Sequence, residues 1–582
     1  MKPLQRGMLE GGKEFILCPV VKRLVSLWCG LIWLAVFAAV SSRAAGLTFL
    51  HTRGQDIVNE HGEKIMLRGV GLGNWLLPEG YMWMFGNEYD RPRRIEKLVS
   101  DLIGPEKAKQ FWTEFRKNYI AAADIQRIAQ LGYNSVRPAL NSRLFVTDGN
   151  ATEYSEEGFA LLDNLIQWCK ANDVYVIIDM HAAIGGQTGQ NIDDSVNDQP
   201  ELFMEQKYQD ELVTLWTMIA ERYKNEPAVA GYDLLNEPLP AKTGAEKAYK
   251  AELEPLYKRI TAAIRKIDSK HMIIVEGADW ANDWSVFTKP FDRNMVYQFH
   301  YYCWDNPTTL KGIQQYLDYR SRFNAPVWVG ETGERDNAIY WATTENFESK
   351  NIGWSFWPWK KMDTRNTPYS INPPADWDAI TAYSRGGEKP PPEVAQRAFD
   401  ELLKNIRLEN CVYFPDVVNS MMRRVPARIE AENYGEQGLN KSYFVKDPEQ
   451  YSKFYRRSDP VTVTPMDADR WHSGQYITLD STEWTSYTIS SDASKNYQLV
   501  VRAKAANGPA AVEIQVGDET RTVTLGDKDW SEIKVGAVSL AEGANNLKCV
   551  VKSGEADLDW IELDPTRVQR AASASSELPT GR

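Results

Sequence analysis

Cysteine is scarce in this chain, with six in 582 residues and no C-x-x-C pair. That excludes zinc ribbons and dithiol redox centres, which need closely spaced thiols. Cys18 and Cys29 fall in an N-terminal leader. Cys169, Cys303, Cys411 and Cys549 are widely scattered and read as buried free thiols, although export would permit disulfides. Excess positive charge is also missing. A formal net charge of -12 argues against nucleic acid and anionic membrane surfaces as partners. No G-x-G-x-x-G follows the first apolar strand, which counts against a dinucleotide fold. Histidine is rare, six in all, so its placement is informative. Aromatics are plentiful, with 20 Trp and 27 Tyr, whose flat faces serve cores and sugar rings alike.

Lys22 and Arg23 precede an apolar run over 24–40, and Ser42-Arg43-Ala44 supplies the small residues that a signal peptidase reads. A signal peptide over 1–45 is expected, cleaved after Ala44, with Met8 as an alternative start. The run is about 17 residues, the low edge for crossing a bilayer, so an uncleaved anchor is the competing reading. Export places the protein outside the cytoplasm, secreted or periplasmic, as a monomer free of the membrane after cleavage. The Ala/Ser-rich tail over 566–582 is expected to be disordered.

Between these ends, short apolar runs alternate with longer amphipathic stretches. Eight strand candidates stand at 65–70, 134–138, 174–180, 229–236, 272–276, 295–300, 327–331 and 353–357. The stretches 121–131 and 156–172 carry apolar residues at helical spacing. Near-continuous apolar strands separated by helices imply parallel strands buried on both faces, and eight of them fit a (β/α)8 TIM barrel, with a doubly wound open sheet as runner-up. Two of the strands end on glutamate, Tyr232-Asp233-Leu234-Leu235-Asn236-Glu237-Pro238 and Val327-Trp328-Val329-Gly330-Glu331. Two carboxylates at strand ends are what glycosidic bond cleavage requires, one to donate a proton and one to attack. A barrel builds its site at the C-terminal ends of its strands. The polar residues there are Arg137, His181, Asn236, Glu237, His300, Tyr302 and Glu331, with Trp357 on the eighth strand.

These residues resemble glycoside hydrolase family 5, a retaining family of the (β/α)8 glycosidases, over roughly 46–405. The match consists of Arg137, His181 within Asp-Met-His, Asn236-Glu237-Pro238, His300-x-Tyr302, Glu331 and Trp357. Two stretches are similar to the exo-β-1,3-glucanase branch: Leu67-Arg68-Gly69-Val70-Gly71-Leu72-Gly73-Asn74-Trp75-Leu76-Leu77, with Glu79 matching a glucose-binding acid, and Gly353-Trp354-Ser355-Phe356-Trp357-Pro358-Trp359-Lys360. Asn74, where that branch has Gly, and Pro358 depart from it. The resemblance implies a hydrolase domain over 46–408 acting on a β-glucan polysaccharide or oligosaccharide.

On this reading Glu237 is the acid/base, with a site that raises its pKa, and Glu331 is the nucleophile, kept ionised by Arg137. Tyr302 bonds the nucleophile, Asn236 holds the sugar's 2-hydroxyl, His181 and His300 position hydroxyls and the acid, and Trp357 floors the sugar site. No step calls for a metal or other cofactor. Glu334 reads as a solvated side chain or lid contact, and Glu276, lacking an Asn beside it, is left out.

After a helical 394–408, residues 409–426 read as a linker. Over 427–565, alternating strands such as 512–516 and 521–525 between Gly and Asp turns indicate a jelly-roll-like β-sandwich. Arg428-Ile429-Glu430-Ala431-Glu432-Asn433-Tyr434 and Asp557-Leu558-Asp559-Trp560-Ile561-Glu562-Leu563 resemble the carbohydrate-binding module family 6 and 35 group. There the two ends meet at a structural calcium, for which Glu430, Glu432 and Asp559 would supply oxygen. Asp557 stands where that group often has Asn. Trp484, Tyr487 and Trp530 read as core, with a sugar-binding platform as the alternative. The leading expectation is a secreted retaining hydrolase, exo-β-1,3-glucanase-like or β-glucosidase-like, whose module either holds it on a polysaccharide or is structural, as Asp557 hints. The alternatives are an endo-β-1,4-glucanase, a mannanase, or a non-catalytic carbohydrate-binding protein on the same fold.

Overall fold

All eight expected strands belong to one closed parallel barrel in the computed structural model, which describes residues 46–565 except 148–149, 305–309, 311, 453–454, 468–473 and 527. The expected signal peptide and tail lie outside the described residues. The strands are β1 (Arg68–Leu72), β2 (Ser135–Asn141), β3 (Tyr175–Ala182), β4 (Val229–Asp233), β5 (Met272–Glu276), β6 (Met295–Tyr301), β7 (Val327–Gly333) and β8 (Gly353–Trp357). They neighbour one another in chain order, and β8 closes on β1 through Trp354–Arg68, Ser355–Gly69 and Phe356–Val70. Almost every barrel-strand residue is buried, as the unbroken apolar runs demanded. β4 is shorter than expected. It ends at Asp233, and Leu234–Pro238 forms a turn in which Glu237 takes φ 43. No described helix is long and apolar enough to cross a membrane.

Register breaks cluster where the polar residues sit. Pairing of β6 with β7 shifts between Phe299 and His300, so that His300 faces Glu331. Such an irregularity re-aims side chains at the end of a strand. Gly330 is required there, because a Cβ would stand 2.2 Å from the Gln298 side chain.

Residues 409–426 are not a free linker. Val412–Tyr413 pairs with Tyr369–Ile371, and a helix over Pro415–Met421 buries Val417, Val418 and Met421. These apolar side chains anchor the segment, in a helix too short for its periodicity to show. It packs on α1 (Asn337–Ser349), the helix that follows β7.

The C-terminal module is a β-sandwich of two antiparallel sheets. One runs Thr462–Pro465, Gln475–Asp480, Glu555–Pro565, Lys495–Ala505, Ser531–Leu540, with Ala427–Glu430 paired onto Glu555–Pro565. The other runs Tyr443–Phe444, Trp484–Ser491, Gly543–Ser553, Ala510–Val516, Glu519–Leu525. Strict alternation of buried and part-exposed residues along Lys495–Ala505 and Ala510–Val516 builds the core between them. The first and last strands of the module meet, as expected. Tyr487 is core and donates to the Ala431 carbonyl at 2.7 Å. Trp484 and Trp530 are not core: both are half-buried, Trp484 under Lys548 and Trp530 beside Arg502, Lys504 and Tyr476. Cys169, Cys303 and Cys549 are buried, as read, whereas Cys411 is half-buried.

β1 lies against the ring of Trp357, which is why its motif is rich in glycine. A Cβ on Gly71 would stand 2.3 Å from that ring, and one on Gly73 2.6 Å from it. Gly71→Ala should therefore displace Trp357. Overpacking of this kind costs about 1–3 kcal/mol, seen as a lower melting temperature.

Candidate active site

Arg137, fully buried on β2, is the centre of the polar cluster. Its Nη1 donates to Glu331 Oε1 at 2.6 Å and its Nε to Asp233 Oδ2 at 2.9 Å. Nη2 donates to Asn236 Oδ1 at 2.8 Å and Glu276 Oε1 at 3.0 Å, and lies 3.1 Å from Asp179 Oδ1. Tyr302 donates to the other oxygen of Glu331 at 2.8 Å. His300 Nδ1 sits 2.7 Å from Glu237 Oε1 and 3.5 Å from Glu331 Oε2. One carboxylate oxygen of Glu237, one of Glu331 and a ring nitrogen of His300 all lie within 4.8 Å of one another. The sequence-identified barrel residues thus converge.

His181 Nδ1 is 2.7 Å from Asp179 Oδ2, and its Nε2 is 3.2 Å from the Asn236 amide nitrogen. Donation from Asn236 sets the tautomer with the proton on Nδ1. Burial pushes His181 down to about 4, so it is neutral. Its ring stacks on Trp357 with centroids 5.1 Å apart and planes 4° from parallel. Trp357 Nε1 donates to the Tyr81 hydroxyl at 3.2 Å, and its bond to Pro358 is cis.

Glu79 is buried beside this floor, taking a hydrogen bond from Asn191 at 3.3 Å, and Oε1 has no protein partner. Burial, with Glu331, Glu334 and Glu237 nearby, drives its carboxyl well above the ordinary range. Asn74 explains its own departure from glycine. It sits at φ 64, a left-handed conformation that Gly and Asn both suit. Its Oδ1 accepts from Trp83 Nε1 at 2.5 Å and from the Glu79 backbone at 3.3 Å.

Two acids set aside from sequence have structural work. Glu276 accepts the Glu237 backbone N–H at 2.7 Å through Oε2, while Oε1 takes Arg137 and Gln298. It thereby pins the left-handed turn that presents Glu237. Its partners come from other strands, so no local motif marked it. Glu334 is not freely solvated: it is half-buried, in an ion pair with Lys361 at 2.8 Å. Asp179, Asp233 and Gln298 were also missed. The only trace of the first two was an acid inside an apolar strand, at Asp179-Met180-His181 and Tyr232-Asp233-Leu234.

One guanidinium cannot neutralise four buried carboxylates. Burial pushes Asp179 and Asp233 each up to about 8. Glu276 is also penalised by burial, but His300 and Arg137 hold it below its usual value. Burial opposes charge on His300 as well, yet Glu331, Glu276 and Glu237 keep it well above the histidine range. Glu331 departs from expectation. Burial raises it, His300 and Arg137 pull it back, and the net direction is upward because Arg137 is shared.

On the Glu237 side a cleft of about 550 Å³ is lined by Glu237, His300, Tyr302, Lys242, Trp280 and Trp304. Trp304 is 52% exposed and stacks on Tyr302 at 4.2 Å. Asp279, Trp280 and Ala281 all have positive φ, a tight turn that turns Trp280 into the cleft.

In the module, Glu430, Glu432 and Asp559 line one cleft of about 840 Å³ with Asp336. Arg428 pairs with Glu430 at 2.9 Å and Arg502 with Asp559. Glu432 is buried with Oε2 unpartnered. Among the described residues the three do not bring an oxygen each within 4.8 Å of one another, as the active-site group does. An ion bound by all three would have to draw Glu430 and Asp559 away from their arginines. Asp557 is internally satisfied by Thr478 at 2.7 Å and Lys504 at 3.3 Å.

The raised Asp233 has a signed consequence. An unfolded aspartate titrates near about 4; the native one, at about 8, holds its proton between those values. Its contribution to stability is complete below about pH 4 and is lost as pH rises toward 8. Asp233→Asn, which mimics the protonated form, should flatten the fall in melting temperature over that window.

Residues 102–363 match the family model described as Cellulase (glycosyl hydrolase family 5). A beta-xylosidase of Phanerodontia chrysosporium is 32% identical over 259 residues, 44% of this chain and 52% of that protein. Endoglucanase C of Acetivibrio thermocellus is 30% identical over 195 residues, 33% of this chain and 53% of that one. A probable glucan 1,3-beta-glucosidase A of Aspergillus fumigatus is 28% identical over 278 residues, 46% and 64%. The chain spans about half the length of the first two curated relatives. With its parallel eight-stranded barrel and its paired glutamates near the ends of β4 and β7, this chain is similar over residues 102–363 to glycosyl hydrolase family 5.

Proposed function

We propose that the chain is an exported retaining glycoside hydrolase that cleaves β-glucosidic bonds of a β-glucan, in the manner of an exo-β-1,3-glucanase or β-glucosidase. The observation that carries this reading is the approach of Glu237 and Glu331, with an oxygen of each within 4.8 Å. Retaining glycosidases hold their carboxyls about 5–5.5 Å apart, and inverting ones leave room for water at about 6.5–9.5 Å.

The Glu331 carboxylate attacks the anomeric carbon as the bond to the leaving oxygen breaks, and Glu237 gives that oxygen its proton. Glu237 then takes a proton from water, whose oxygen displaces Glu331 from the sugar. Arg137 and Tyr302 hold both oxygens of Glu331 for in-line attack. His300 keeps Glu237 on the leaving-group side, where Trp280 and Trp304 offer faces for the departing sugar. Asn236 has one amide hydrogen on His181 and a second for the 2-hydroxyl. Trp357, backed by Gly71 and Gly73, floors the sugar site.

The glucan 1,3-beta-glucosidase relative and the buried Glu79 support action at a chain end. Endo-β-1,4-glucanase is the second reading, favoured by the Endoglucanase C relative. A product profile on laminarin, carboxymethylcellulose and glucomannan decides between them: glucose alone from laminarin supports the first, mixed cello-oligosaccharides the second.

Glu331→Ala should abolish turnover on every substrate. Glu237→Ala should lose about 10²–10⁴-fold on glucan while still releasing an activated phenol in the first step, which needs no proton. Equal loss for both on an aryl glycoside overturns the assignment.

We also propose that the module holds calcium, with the unpartnered Glu432 as its first ligand and Glu430 and Asp559 turning from their arginines to complete it. A ligand bound to the native state alone stabilises it by about 2.7 kcal/mol at a hundredfold excess over Kd. Adding calcium to chelator-treated full chain should then raise its melting temperature, and Glu432→Gln should abolish the response. A transition indifferent to calcium removes the claim.

A further inference from the structure

The helix behind the nucleophile strand has no face left for water. α1 follows β7, the strand that carries Glu331, after a loop of three residues. Its 338–344 segment carries no charge, and residues 339–347 are all buried. The barrel covers one side and the sandwich the other. Trp341 lies within the module's own hydrophobic core, among Ile429, Tyr434 and Tyr487. Arg423, at the module's threshold, ties Glu345 at 2.9 Å and Glu348 at 2.7 Å.

Two module side chains reach the start of α1. Asn433 Nδ2 donates to the Ala338 carbonyl at 3.0 Å, and the Tyr455 hydroxyl donates to Asn433 Oδ1 at 2.8 Å. Both are buried. With Oδ1 engaged by Tyr455, the amide must turn its Nδ2 toward Ala338. The module therefore backs the start of α1, the helix that follows the strand carrying Glu331.

We infer that the C-terminal sandwich is part of the catalytic body, not a tethered accessory, and that Asn433 and Tyr455 are positioning residues for Glu331. The kinetic side of this inference rests on the proposed hydrolase activity. The test uses full-length chain carrying Tyr455→Phe or Asn433→Ala, with exposed Tyr451→Phe as control. Tyr455→Phe keeps the ring and removes only the orienting hydroxyl, so a space-filling role would leave it silent. Each should lower kcat on an aryl β-glucoside about tenfold, with KM changed by less than about twofold. Backbone amides over 331–341 should exchange hydrogen faster than in wild type. Wild-type kcat in both variants overturns the inference. If wild-type chain hydrolyses no glycoside, the hydrolase reading fails, and exchange alone decides: faster in both variants supports positioning, unchanged exchange overturns it.

Discussion

A single guanidinium joins most of the polar C-terminal end of this barrel. Arg137 leaves β2 and touches carboxylates from β3, β4, β5 and β7, together with Asn236. Buried charge is tolerated only when paired and hydrogen-bonded. With four acids around one arginine, the balance is met by protonating Asp179 and Asp233 and by charging His300. Arg137 and His300 then stand against Glu276 and Glu331. Loss of Arg137 would leave acids on four strands without their shared cation.

That arrangement also fixes the second glutamate, through the main chain. Glu276 shares its carboxylate between Arg137 and the N–H of Glu237, so the backbone of Glu237 is tied to the same hub as the side chain of Glu331. Gln298 spans Asp233 and Glu276 from below, and occupies the space that Gly330 leaves open on β7. Glycine at that position serves the network by being small. Conformational freedom is not what is used there.

The sequence disclosed what is periodic or local. Eight apolar runs announced eight buried parallel strands, and polar residues at their ends announced the site, because a barrel puts those ends together. Glu276 and Gln298 stayed hidden because their partners lie on other strands and nothing beside them in the chain marks them. Asn74 looked like a departure until its positive φ showed it meeting the same backbone need as glycine. The segment over 409–426 passed for a linker because its helix is only two turns long. The clearest overlooked signal was α1: a surface helix of a barrel needs a polar stripe, and its 338–344 segment has none charged.

Trp341 has a consequence in time as well as in space. During synthesis the barrel strands emerge before any of the sandwich, and domains generally fold in that order. Helix α1 can then dock its inner face, but Trp341 has no core to enter until the last strand, Glu555–Pro565, has joined the sheet beside Ala427–Glu430. The half-made protein therefore carries a bare indole and an uncharged helix face at its surface. Its vulnerable interval for aggregation and proteolysis lasts until Glu555–Pro565 is made.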